Sequence, residues 1–360
     1  MKNFQPMGLI PEFNAWGNHP TDMEAFIKLK VKELYFNAGI NGYKEGEEIL
    51  LQSLDSLSIR PIDFTGHYIP CEKTRPVLTW LTNTFVQFEK CKLFGLQNYE
   101  KAIELISNGH NILVVMNHAT ALDCLITEAL TSKIRPEFVN PSYIASQVFE
   151  YARIANITTS GFDKYPVFQP KHIQKMKDLS GNDSVIAEMR RQNKVTIRSL
   201  CKNMSLGGKM VFLFPEKNRS AEMGVPEPIV AKLPCLMQAT SCKELYVLPM
   251  YVTGGETIFP NVPGTNELDN FLQNIRVGSG NTYCGEPIPF SKITNTLCCV
   301  NKKELVQTII GEVPSCENYL HLSALSVLIT GLIANLSPIQ EKVLLYKNDY
   351  VEKSVEMILN

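Results

Sequence analysis

The chain has 360 residues, 44% hydrophobic and 20% charged, so it can bury a core, and wholesale disorder is excluded. That length fits one large domain with an appendage, or two modest domains. A net charge of -1 and a pI near 6.6 lack the basic footprint of a nucleic-acid binder, so an anionic ligand must be met by a local basic cluster.

The opening stretch MKNFQPMGLIPEFNAWG has no apolar signal core, and secretion is not expected. Thr21 and Glu24 spell a capping box, and Met23, Phe26, Ile27, Val31, Leu34 and Tyr35 recur at helical spacing, with Gly39 as the stop. A second helix is predicted over Glu45–Leu57. A third is predicted over Val77–Lys92, with Pro76 near its first turn. No strand pattern interrupts residues 21–92, which read as a small helical bundle.

The pattern changes after Asn98. Tyr99–Asn108 reads as a helix ended by Gly109. Asn111–Met116, NILVVM, is the continuous apolar run expected of a strand buried on both faces. Similar runs follow at Ser142–Ala145, Met210–Phe214 and Leu245–Val252, separated by helical stretches, notably Ser184–Leu206. Alternating strands and helices predict an α/β sheet. The expected organisation is an N-terminal helical bundle over 1–92 and a larger mixed-sheet α/β domain over 93–360, with helices through 302–359. The longest apolar stretch, Leu322–Leu336, is interrupted by Ser323, Ser326, Thr330, Gly331 and Asn335. It falls short of the roughly 20 residues of a spanning helix and reads as a buried helix. Ten cysteines are scattered, Cys298 and Cys299 adjacent, with no CxxC pair and no zinc-like His/Cys cluster, as fits a reducing compartment.

NILVVM runs into Asn117-His118-Ala119-Thr120-Ala121-Leu122-Asp123. The carboxyl end of a strand is where α/β sheets bind ligands. Asp123, somewhat more than one helical turn beyond His118, can fold back onto the imidazole, fix its tautomer and stabilise the imidazolium. The other ring nitrogen could then take a proton from an alcohol, with the alcohol itself as nucleophile. Taken alone, the pair fits a structural histidine at a strand end equally well. A second apolar run ends in Phe214-Pro215-Glu216-Lys217-Asn218-Arg219-Ser220. Pro215 stops the ladder, Arg219 offers a planar fork suited to a phosphate, and Lys217 adds a point charge; alone, the stretch reads as a solvated turn.

Together the two motifs resemble the glycerolipid acyltransferases, which carry H-x4-D and, further along, FPEGTRS. This chain has NHATALD and FPEKNRS, in the same order and with similar spacing; Lys217 and Asn218 depart from Gly and Thr. The closer resemblance is to the soluble glycerol-3-phosphate acyltransferases of plastids and some bacteria, and covers roughly residues 95–290. Their Lys-His pair is matched by Lys171-His172, and their TRSL-like segment by Thr196-Ile197-Arg198-Ser199-Leu200. Of the two arginines in their phosphate loop only the first has a match, Arg219; the second falls on Ala221. Pro249 matches the proline of their fourth motif, an apolar strand, and equally fits a core strand with an edge proline.

The resemblance implies a glycerol-3-phosphate 1-O-acyltransferase. His118 would be the base and Asp123 its orienter. Arg219, Lys171 and His172 would bind phosphate, with Lys217, Asn218, Ser220 and Arg198 in support. It implies no metal or redox cofactor. Its acyl donor is acyl-carrier protein or acyl-CoA, and its acceptor glycerol 3-phosphate. Peripheral membrane contact, a cytoplasmic or plastid-stroma location and no nucleic-acid partner complete the expectation. The alternatives are a lysophosphatidate acyltransferase, which shares both motifs, a non-catalytic member that binds lipid or carrier protein, and a metal-dependent phosphoesterase.

Other features read more plainly. Without the resemblance, Lys171-His172 is a solvated pair at a loop-to-helix start. Gly278-Ser279-Gly280 with Gly285 lacks the frame of a nucleotide loop and reads as a turn. His19, His67, His110 and His321 have no evident partners and read as structural. Arg190, Arg191, Lys194 and Arg198 lie along one helix, either as a solvated face or as a dock for an acidic carrier protein.

Overall fold

The computed structural model describes residues 23–58, 65–120, 123–134, 141–147, 159–180, 183–215, 222–260 and 273–360. Helix α1 is Met23–Ala38 and stops at Gly39, whose φ of 68° a Cβ would strain. Thr21, the expected cap, lies outside the described residues. Helix α2 spans Lys44–Ser58 and α3 spans Arg75–Phe85. Helix α3 does not reach Lys92. Val86 is extended and bridges to Gly278, and Gln87 N–H donates to the Gly278 carbonyl at 2.7 Å. Propensity cannot see a partner so distant in sequence. The indole N–H of Trp80 on α3 donates to the Tyr35 hydroxyl of α1 at 2.8 Å.

Strand β1 (Leu93–Phe94), helix α4 (Leu96–Ser107), strand β2 (Asn111–Met116) and helix α5 (Asp123–Ile134) follow. Next come β3 (Ser142–Ser146), β4 (Asp163–Val167), α6 (Pro170–Ser180), α7 (Asp183–Met204) and β5 (Met210–Leu213). The chain continues through α8 (Pro228–Thr240), β6 (Leu245–Thr253), the one-turn α9 (Gly255–Ile258), β7 (Asn281–Cys284) and β8 (Ile288–Pro289). It ends with α10 (Phe290–Cys299), α11 (Lys302–Ile309), α12 (Glu317–Ala334), a 3-10 segment (Gln340–Tyr346) and α13 (Asp349–Leu359). The mixed α/β class expected from the alternation is the class observed.

Two compact units divide the chain. One comprises Met1–Gln87, Ser142–Leu200 and Thr257–Gly278; the other comprises Phe88–Pro141, Cys201–Glu256 and Ser279–Asn360. The expected boundary at residue 92 lies five residues past the Gln87/Phe88 break, and the first unit also takes up two later stretches.

In the first unit, β3 and β4 pair in parallel, and β4 also bridges to Tyr68. His67 and Asp163, outside the pattern read as site, are hydrogen-bonded at 3.0 Å, with the His67 ring stacked on Tyr165 at 4.6 Å. His67 therefore has a partner that the sequence did not reveal.

The sheet of the second unit runs β1-β7-β6-β2-β5, with β8 also on β6. Strand β2 is central and all six of its residues are buried, as its uninterrupted apolar run requires. It is parallel to β5 and β6, while β7 and β8 run antiparallel to β6. His110, just before β2, bonds to the Glu244 carbonyl at 3.1 Å and packs edge-on to Tyr246, so it too has partners. Helix α12 packs against α8, α11 and β6. Among the described residues it is the one helix long and apolar enough to cross a membrane, yet 72% of it is buried inside the protein. Its apolar surface is spent on the core, as read from the sequence.

Candidate functional site: a histidine–aspartate pair at a strand end

Strands β2 and β5 are parallel neighbours, Val115 opposite Leu213, so both of the motifs that follow them leave the sheet at the same edge. His118 and Phe214 meet there: the imidazole stacks on the phenyl ring at 4.2 Å and 27°. The first residue of FPEKNRS thus covers one face of the histidine of NHATALD. Sequence reading assigned Phe214 only to a strand end and missed this contact.

His118 Nδ1 lies 3.2 Å from Asp123 Oδ2. A carboxylate only accepts, so Nδ1 carries the proton and Nε2 is the basic nitrogen. The Asp123 carboxylate is fully buried, whereas the His118 side chain keeps 24% of its surface. Two further donors hold that carboxylate: the Thr120 N–H to Oδ2 at 2.7 Å and the Thr120 hydroxyl to Oδ1 at 3.1 Å. A carboxylate three residues on that accepts the Thr120 N–H is half of a capping box, and Asp123 opens α5, where the helix dipole favours negative charge. The T-x-x-D spacing from Thr120 to Asp123 was a readable signal for this local bond.

Two more features fix the turn. The Asn117 side chain accepts from Val252 N–H at 2.7 Å and donates to the Val252 carbonyl at 3.0 Å, so it extends the β2–β6 pairing by one step. Gly255, just beyond β6, lies so close that a Cβ would stand 2.7 Å from Asp123 Oδ1 and 2.8 Å from Thr120 Oγ1. Gly254 before it has a φ of 83°. The Gly-Gly dipeptide at the end of an apolar strand was the sequence signal for this close approach. The same turn explains Gly280: a Cβ there would meet the Thr253 carbonyl at 2.6 Å.

Lys171 and His172 sit in the first turn of α6, in the first unit, where Lys171 is exposed and His172 is 7% exposed. A buried histidine beside an exposed lysine is not the solvated pair of the plain reading. Arg198 is exposed on α7, together with Arg190, Arg191 and Lys194; Arg191 is paired to Glu188 at 2.7 Å. Lys217, Asn218, Arg219 and Ser220 lie outside the described residues. Among the described residues, no three His, Cys, Asp or Glu side chains cluster as a metal site would need.

No protein-family model matches the chain, and a search of curated proteins finds no significant match.

Proposed function

We propose that the protein is a glycerol-3-phosphate 1-O-acyltransferase, and that His118 is its general base. The observation that carries this reading is the buried, triply held Asp123 bonded to His118 Nδ1 at the carboxyl end of β2. With Nδ1 committed to Asp123, Nε2 removes the proton from the sn-1 hydroxyl of glycerol 3-phosphate as its oxygen attacks the thioester carbonyl. The C–O bond forms, the tetrahedral oxyanion is held by donors at the strand ends, and collapse expels the thiolate. The imidazolium, stabilised by Asp123, returns the proton to that leaving thiolate. The products are lysophosphatidate and free carrier thiol. No nucleophilic side chain is required. Phe214 stacking keeps water from one face of the ring and holds its plane.

Arg219, Lys171 and His172 serve as the phosphate-binding set in this reading, with Lys217, Asn218, Ser220 and Arg198 in support, on the strength of the motif resemblance. The donor is acyl-carrier protein or acyl-CoA, and the compartment is the cytoplasm or a plastid-like stroma. The test is a panel of acceptors offered with each donor, with product identified by mass. Glycerol 3-phosphate should be acylated and lysophosphatidate should not; the reverse would indicate the second acylation step instead. Arg219→Ala should raise the Michaelis constant for glycerol 3-phosphate by roughly 10- to 150-fold, the equivalent of the roughly 1.5–3 kcal/mol of a charge-assisted contact, and leave that of the donor unchanged. Equal loss against both substrates would count against the phosphate role.

A further inference from the structure

The turn that presses on Asp123 is held from behind by a residue far along the chain. Glu256 follows Gly255 directly, and its Oε1 is ion-paired with the Lys342 ammonium of the 3-10 segment. The other oxygen, Oε2, is buried and has no hydrogen-bond partner among the described residues, so Lys342 is what compensates this carboxylate. Both side chains are partly exposed, Glu256 at 25% and Lys342 at 21%, so the pair is a tether between the turn and the 3-10 segment and not a buried ion pair. On its far side the turn is equally confined, since a Cβ on Gly254 would collide with the Ser279 carbonyl.

Lys342 makes a second link through its backbone. Its carbonyl accepts the Met223 N–H at 2.8 Å, and the nearby Tyr346 hydroxyl donates to the Gly224 carbonyl at 3.0 Å. Met223 lies just downstream of the FPEKNRS stretch. One residue therefore ties down two chain segments: the turn at Gly254–Gly255, which packs on Asp123, by its side chain through Glu256, and Met223 by its main chain.

We propose that Lys342 is a positioning residue, which through Glu256 holds Gly255 against Asp123 and so sets the register of the His118–Asp123 pair. The proposal rests on the reading of that pair as the reacting group. It assigns the C-terminal 3-10 segment, remote from both motifs in sequence, a part in the reaction.

The test uses the full chain with Lys342→Met, Glu256→Gln and Lys342→Arg, each checked for folding by circular dichroism. Lys342→Met keeps the backbone carbonyl, so the link to Met223 survives and only the Glu256 link is lost. The expected result is a kcat lowered on the order of 10- to 100-fold with the Michaelis constant for glycerol 3-phosphate unchanged, as for a displaced catalytic group. Glu256→Gln should behave alike, and Lys342→Arg should restore kcat. A second readout needs no reaction: the NMR signals of the His118 ring and the Thr120 amide should shift in Lys342→Met and Glu256→Gln, and stay in place in Lys342→Arg. Folded Lys342→Met with wild-type signals and kcat would overturn the proposal, as would Lys342→Arg no better than Lys342→Met. Unfolding of both Lys342→Met and Glu256→Gln would also overturn it, because the pair would then support the fold and not the site. Shifted signals in a protein whose wild type transfers no acyl group would leave the link standing and remove the acyltransferase reading.

Discussion

Gly255→Ala is a single-methyl perturbation of the site. The new Cβ would stand 2.7 Å from Asp123 Oδ1 and 2.8 Å from Thr120 Oγ1, so both contacts must open by about 0.7 Å and 0.6 Å to reach the 3.4 Å of ordinary van der Waals contact. A long side chain would swing away at little cost. Asp123 is short, fully buried and held by Thr120 N–H, the Thr120 hydroxyl and His118. Movement of its carboxylate must therefore strain at least one of these bonds or push the Gly254–Gly255 turn back toward Ser279–Gly280. Overpacking of this kind costs about 1–3 kcal/mol of stability. Displacement of a catalytic group by a sizeable fraction of an ångström should cost on the order of 10- to 100-fold in rate. Thermal unfolding followed by circular dichroism and acyl transfer to glycerol 3-phosphate would measure the two. A Gly255→Ala protein with wild-type melting temperature and wild-type kcat would refute the close packing on Asp123.

Two other perturbations test the surroundings. Asn117→Leu removes both bonds to Val252 and leaves a buried N–H and carbonyl without that partner, at about 1–3 kcal/mol for each group left unpaired, read as a lower denaturation midpoint; an unchanged midpoint would mean that Asn117 does not extend the sheet. Burial pushes the Cys284 thiol up to about 12, so at pH 8 an alkylating reagent should label exposed Cys242, Cys298, Cys299 and Cys316 while Cys284 reacts only after unfolding; early labelling of Cys284 would contradict its place in β7.

What could be read from the sequence was what local pattern determines. NILVVM is a strand over the predicted six residues because the short apolar run Ile112–Met116, with Asn111 opening it, suits the buried middle of a sheet. Gly39 and Gly109 stop their helices because each needs a positive φ. Strand β4, DKYPV, was missed because a lysine and a proline argue against a strand. Lys164 is nevertheless 1% exposed, its ammonium bonded to Thr159 at 3.0 Å, a partner that pattern alone does not supply. The helix predicted to Lys92 stops at Phe85 for a similar reason, since Val86 is claimed by Gly278. The stretch 302–359 is helical in pieces, with Gly311 at a φ of 84° after α11 and Pro338 before the 3-10 segment.

The site divides along the same line. His118 and Asp123 are five residues apart, so their pairing was legible in the motif. Phe214 and Gly255 reach the pair across the sheet, and Val252 reaches the adjacent Asn117; β2's neighbours, β5 and β6, bring them there. Likewise His67 and His110 looked solitary because their partners Asp163 and Glu244 lie 96 and 134 residues away.

In the proposed reaction His118 Nε2, with Asp123 behind the ring, removes the proton from a glycerol-phosphate hydroxyl. The most direct measurement is the rate of lysophosphatidate formation from glycerol 3-phosphate and acyl-carrier protein or acyl-CoA, by mass, for wild type, His118→Ala and Asp123→Asn, each with native circular dichroism. Expected are product from wild type, a loss of about 100- to 10,000-fold in His118→Ala, and a large loss in Asp123→Asn through the wrong tautomer. A folded His118→Ala protein that keeps more than roughly a tenth of the wild-type rate would contradict that role for His118.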